Sequence, residues 1–207
     1  VNVCESMGII DKVLISIQGL CSICAKHYLS GLPRRVVTAY TFRDVIRREN
    51  IIKQQKNYEI RGRFEIEALK KAKHITGRTT WDKACTSQIN QNSQYHFCNE
   101  TLRDEFYKHR WEISNCEKHS IFMSQGTSPI KGVHFMLMAM PLILKQFPNA
   151  KLYIGGQNII KSDTLKDKLK TSSYGKYIKE LIKKNNLKTH VEFTGVLDEK
   201  RICERYM

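Results

Sequence analysis

Acidic residues are the scarce class in this sequence: 20 Asp and Glu stand against 35 Lys and Arg in 207 residues, a formal charge of +15. The imbalance favours anionic partners, whether nucleic acid, an anionic membrane face or phosphorylated substrates. Nucleic acid is not expected, because the basic residues run along segments such as 161–188 without interleaved aromatics and without a zinc or RNP signature. A solvated basic surface is the plain reading of that charge. Long apolar runs are also missing. The most apolar stretch, residues 133–144, contains Pro141 and falls well short of the ~20 residues a span needs, so it reads as a buried helix. With no signal peptide either, the expected setting is cytoplasmic, with any membrane contact peripheral, at an anionic inner face. The seven cysteines (Cys4, Cys21, Cys24, Cys85, Cys98, Cys116 and Cys203) are an odd, scattered set that excludes a dense disulfide scaffold and predicts free thiols in a reducing compartment. Cys21-Ser22-Ile23-Cys24 has no second pair at zinc spacing and reads as structural. Fixed-period repeats and low-complexity tracts are absent.

What is present centres on residues 118–157. Ile121 to Ser124 reads as a strand broken by Gln125-Gly126-Thr127-Ser128-Pro129, a small-residue loop that suits a phosphate. Lys131-Gly132 then open a helix whose apolar residues Val133, Met136, Leu137, Met140, Ile143 and Leu144 recur at helical spacing, closed by Pro148-Asn149. Leu152-Tyr153-Ile154 is the next strand and ends on Gly155-Gly156. Both strands thus run into backbone-exposing loops at one edge of a parallel sheet, the edge where such sheets bind ligands. Residues 163–188 read as a polar loop and a basic helix, 189–194 as a strand, and 198–206 as a helix.

The ordered set Lys131-Gly132, Pro148, Gly155-Gly156 and Phe193-Thr194-Gly195 resembles the opening of the donor-binding, C-terminal domain of retaining GT-B glycosyltransferases, the group 1 family. The resemblance covers most of the chain. It implies an α/β, GT-B-like fold: two Rossmann-like parallel-sheet domains facing a cleft, both incomplete here. Residues 1–115 would be the later part of the acceptor-side domain and 116–207 the first half of the donor domain, with residues 110–118 as linker. The implied reaction moves a sugar from a nucleotide-diphosphate donor to a polysaccharide or lipid-linked acceptor with retention. No cofactor or metal is implied, and no Asp-x-Asp occurs. The family's pair of glutamates would follow Met207. The chain begins at Val1 and ends inside an amphipathic segment, so it is expected to be a piece of a longer protein and inactive alone. Two readings from other classes stand beside this one: a non-catalytic nucleotide- or phosphate-binding module, and a basic nucleic-acid-binding protein.

On this resemblance Gly126, Thr127, Lys131, Gly132, Gly155, Gly156, Gly195 and Val196 form the donor site. Lys131 would meet the diphosphate, and the glycines would let the backbone approach sugar and base. Many family members carry an Arg where this sequence has Gly126. In the first half, residues 12–17 read as a strand ending at Gln18, where many members have a His; Gln18 cannot titrate and can only hydrogen-bond. Residues 63–73 read as a helix, and the family's helix begins with a Glu, here Glu65 or Glu67. His74-Ile75-Thr76-Gly77 is a strand entering Arg78, which either stabilises a leaving diphosphate or caps a carbonyl and pairs with Asp82. Tyr95 to Cys98 is a further strand, followed by a helix start at Asn99-Glu100-Thr101. A helix from about Arg43 carries Arg43, Arg47 and Arg48, which face either solvent or an anionic, lipid-linked acceptor.

Overall fold

The computed structural model describes residues 1–161 and 164–207, Lys166 by its backbone alone. Asp163, the expected start of the polar loop, lies outside the described residues. In chain order the elements are α1 (Asn2–Ser6), β1 (Leu14–Ser16), α2 (Cys21–His27), α3 (Arg34–Val37), α4 (Phe42–Ile46), α5 (Ile51–Lys71), β2 (His74–Gly77), α6 (Thr80–Ile89), β3 (Gln94–Phe97), β4 (Ser120–Met123), α7 (Val133–Gln146), β5 (Lys151–Gly155), α8 (Leu165–Lys170), α9 (Ser173–Lys184), β6 (Val191–Gly195) and α10 (Glu199–Tyr206). Among the described residues the strands form two parallel sheets of three, β1-β2-β3 and β4-β5-β6. This is the α/β architecture the strand–helix alternation predicts.

The chain divides into two compact units, Val1–Tyr28 with Lys53–Thr101, and Leu29–Ile52 with Leu102–Met207. The division is therefore not one cut near Cys116, because Leu29–Ile52 packs with the second unit. In the first unit β2 is central, with Ile15 beside Ile75 and Ile75 beside Tyr95. Ile17, Leu20, Leu69, Ala72 and Ile75 make its core, Leu69 and Ile75 wholly buried. Each such aliphatic side chain is worth about 1.5–3 kcal/mol for leaving water. β1 is shorter than residues 12–17 because Ile10–Lys12 turn as a 3-10 helix. α5 is one helix running through Gly62, where the sequence suggests an ending. A Cβ there would lie 2.7 Å from Ser22 Cα, so glycine serves close packing of α2 on α5. The same approach fixes Glu65, which sits inside α5 and does not begin it: its carboxylate accepts from the Cys21 amide at 2.9 Å and the Ser22 amide at 3.0 Å. No helix starts at Asn99; a 3-10 turn follows at Asp104–Tyr107.

In the second unit α7 packs against α9, and Val133, Leu137, Met140, Leu152, Ile154, Ile178 and Leu187 are wholly buried. Pro141 inside α7 has no N–H for the carbonyl of Leu137 one turn back. The Asn185 side chain, at the end of α9, donates to that carbonyl at 3.1 Å. Asn185→Ala is thus expected to destabilise by about 2 kcal/mol, the scale for an orphaned buried acceptor. In a Pro141→Ala background, where residue 141 supplies the N–H, the same change should cost only a few tenths of a kcal/mol. A urea-denaturation double-mutant cycle measures the coupling; equal costs in both backgrounds would reject this pairing.

Candidate functional site: the glycine edge of the second sheet

Three loops leave the C-terminal ends of β4, β5 and β6, and the backbone ties them side by side. Gly126 N–H donates to the Gly155 carbonyl at 3.1 Å, and Gly156 N–H donates to the Gly195 carbonyl at 2.9 Å. The glycines are demanded by this closeness. A Cβ on Gly126 would meet Ile154 Cγ2 at 2.2 Å, and one on Gly155 would meet the Ser124 carbonyl oxygen at 2.5 Å. Gly156 and Gly195 hold φ of +91° and +77°, a region that side chains make costly. The edge is therefore lined by bare peptide groups, with exposed Thr127 and Val196 as its rim.

Lys131 does not open the helix. It ends a 3-10 turn, Pro129–Lys131, and Gly132 at φ +76° reverses the chain before α7 begins at Val133. Lys131 is exposed and, among the described residues, has no carboxylate paired with it. Its ammonium stands just before a helix start, where the first amides lack intrahelical partners and the dipole favours an anion. Gly126 is buried, so a cation at that position would have to displace Ile154 or Val133; the edge's positive charge rests with Lys131.

Gln18 and Arg78 lie together in the first unit. The Arg78 guanidinium donates to the Gln18 carbonyl at 3.1 Å and pairs with Glu100 at 2.7 Å. Asp82, the partner suggested by proximity in sequence, accepts instead from the Arg78 backbone amide at 3.4 Å. Arg78 thus ties together the ends of β1, β2 and the loop after β3. Cys21 has its thiol pKa pushed up, chiefly by burial and then by the Glu65 charge, so it is no activated nucleophile. All seven cysteines are free. Arg43 is engaged locally, 3.2 Å from Asp44.

One feature of the second unit has no signal in the sequence, and another gathers the basic residues of 161–188. His134, wholly buried, has Nε2 2.9 Å from the Ser30 carbonyl and Nδ1 3.2 Å from the Tyr174 hydroxyl. Nε2 therefore carries the proton and Nδ1 accepts, and burial pushes the ring's pKa down. The partners are 104 and 40 residues away, beyond any local pattern. A cavity of about 710 Å³ is lined by Asn158, Lys161, Lys179, Lys183 and Lys188.

Residues 105–207 match the family model described as glycosyl transferases group 1. The match takes in just under half of the chain. The whole glycine edge falls inside it. No curated protein matches the chain. Among solved structures, sucrose-phosphate synthase from Thermosynechococcus elongatus is similar at a TM-score of 0.48 and 14% identity, over 93% of this chain and 41% of that one. The chain thus spans about two-fifths of the length of that structure. Such a distant likeness says nothing of substrate. The matched residues include Lys131, Gly126, Gly155 and Gly195, but neither Gln18 nor Arg78.

Proposed function

We propose that the chain is part of a glycosyltransferase with a GT-B-like fold, which moves a sugar from a nucleotide-diphosphate donor to a polysaccharide or lipid-linked acceptor, with retention at the anomeric carbon. The observation that carries the donor site is the glycine edge: Gly126 bonded to Gly155 and Gly156 to Gly195, beside Lys131 and the start of α7. Bare backbone there admits a bulky, flat ligand, and the lysine ammonium with the helix-start amides suits a diphosphate. Thr127 and Val196 would border the sugar and base. On this reading the second unit takes the donor and the first serves the acceptor, with Gln18 a hydrogen-bonding group for a sugar hydroxyl. Arg78 would contribute by exchanging Glu100 for a developing negative charge. The reading calls on no metal, since Lys131 and backbone amides meet the charge of the leaving diphosphate.

Lys131→Ala is expected to weaken binding of a nucleoside diphosphate by roughly 1.5–3 kcal/mol, the scale of a charge-assisted hydrogen bond. Uridine, guanosine and adenosine diphosphates are the probes, by calorimetry on both proteins. The side chain is exposed, so the melting temperature should not fall. Equal affinities for the two proteins would remove Lys131 from the site. Binding by the intact protein without sugar transfer would favour a non-catalytic nucleotide-binding module instead.

A further inference from the structure

The second unit also carries an apolar patch on two short neighbouring helices, α4 and α8, which pack beside one another. Tyr40, Phe42, Val45 and Ile46 are 67, 58, 64 and 65% exposed, and Leu165 and Leu169 are 78 and 51% exposed. Large apolar side chains this far into water, gathered on adjacent helices, mark a contact surface.

Among the described residues the fully exposed charges on and next to these helices are basic. Arg47, Arg48, Lys168 and Lys170 are exposed. The acidic residue of each helix is instead turned back onto its own N-terminus. Asp44 accepts from the Thr41 amide at 3.0 Å, and Asp167 accepts from the Thr164 amide at 3.3 Å and hydroxyl at 2.9 Å. Each helix thus closes a capping box with its one carboxylate. Glu49, a further carboxylate among the described residues, lies 3.9 Å from Arg43.

We propose that this patch docks the protein on an anionic lipid bilayer. Short helices presenting Phe and aliphatic side chains beside Arg and Lys, with Tyr40 just ahead of α4, lie in the plane of a bilayer interface. Their apolar face enters the acyl boundary while the cations meet lipid phosphates. A protein partner fits the surface less well, since lysine is depleted from protein–protein interfaces and Lys168 and Lys170 flank Leu169 directly. The +15 formal charge draws the whole chain toward an anionic surface. The proposal uses none of the donor-site residues, and it stands or falls apart from the glycosyl-transfer reading.

The test is co-sedimentation of the 207-residue chain with vesicles of phosphatidylcholine alone and of phosphatidylcholine mixed with phosphatidylglycerol, at low and high salt. Binding is expected to the mixed vesicles and to weaken with salt. Arg47→Gln with Lys168→Gln should lower partitioning roughly five-fold per charge removed. Phe42→Ser with Leu165→Ser should lower it roughly ten-fold or more at either salt concentration. Circular dichroism of both double variants should match the parent, because all four side chains are exposed. Absence of vesicle binding, equal binding to both vesicle types, or indifference to either pair of changes would overturn the proposal. A concentration-dependent dimer abolished by the Phe42/Leu165 pair, without vesicle binding, would give the patch to a second copy of the chain.

Discussion

Gly155→Ala is expected to lower the stability of the second unit by about 3 kcal/mol, the upper range for forcing a methyl into packed surroundings. The added carbon would sit 2.5 Å from the Ser124 carbonyl oxygen, and neither backbone can yield cheaply. β4 and β5 are locked by their ladder from Ser120/Lys151 to Met123/Ile154, and the Gly155 carbonyl is held by Gly126 N–H. Gly195→Ala is the control. Nothing lies within 4 Å of a Cβ there, but φ is +77°, so only the left-handed penalty applies, about 1–2 kcal/mol. Urea midpoints should rank parent above Gly195→Ala above Gly155→Ala. The reverse order of the two variants would mean that strained backbone, and not close approach, explains the glycine edge.

His134→Leu is expected to destabilise by about 2 kcal/mol at neutral pH, because it removes the donor to the buried Ser30 carbonyl. The pH dependence is more telling. Burial lowers the pKa of His134 in the fold, whereas the unfolded chain takes up its proton near pH ~6.5. Below that pH the unfolded state binds more protons, so stability falls as pH drops, by up to about 1.4 kcal/mol per pH unit. The loss continues until pH passes the lowered folded value, and above the unfolded value the contribution is complete. His134→Gln keeps an amide donor for Ser30 and cannot titrate. Its stability should fall less steeply than the parent's on acidification, as measured by denaturant midpoints. Parallel curves would show that His134 does not titrate on unfolding.

The strands were the most legible part of this chain. β2 occupies His74–Gly77, the four residues the sequence suggests, and the glycine pair at the end of β5 marks the sheet edge as such pairs do. The helices were less so where a distant partner decides the local shape. Gly62 reads as a break, yet α5 continues because Ser22 fills the space a side chain would take. Lys131-Gly132 read as a helix start, but the left-handed Gly132 separates the lysine from α7. Arg78 invited a local partner and found Glu100, 22 residues on. Asn185 sits in a run of lysines and His134 between apolar residues, and their partners are 48 and 104 residues away. Periodicity carries helix faces and strand edges; it carries nothing about a side chain that satisfies a remote carbonyl.

The discontinuity of the two units bears on how the molecule is made. Leu29–Ile52 leaves the ribosome before the first unit is complete, yet it belongs with residues 102–207. The contact between His134 and Ser30 therefore closes a loop of about a hundred residues, and loop closure of that length slows assembly more than it weakens the product. Until synthesis reaches α7, the early segment has no wall to settle against, and Val36 and Ile51, buried in the fold, stay in water with it. A piece cut to the family-matched residues 105–207 would lack that segment altogether, and with it the carbonyl that holds the buried imidazole.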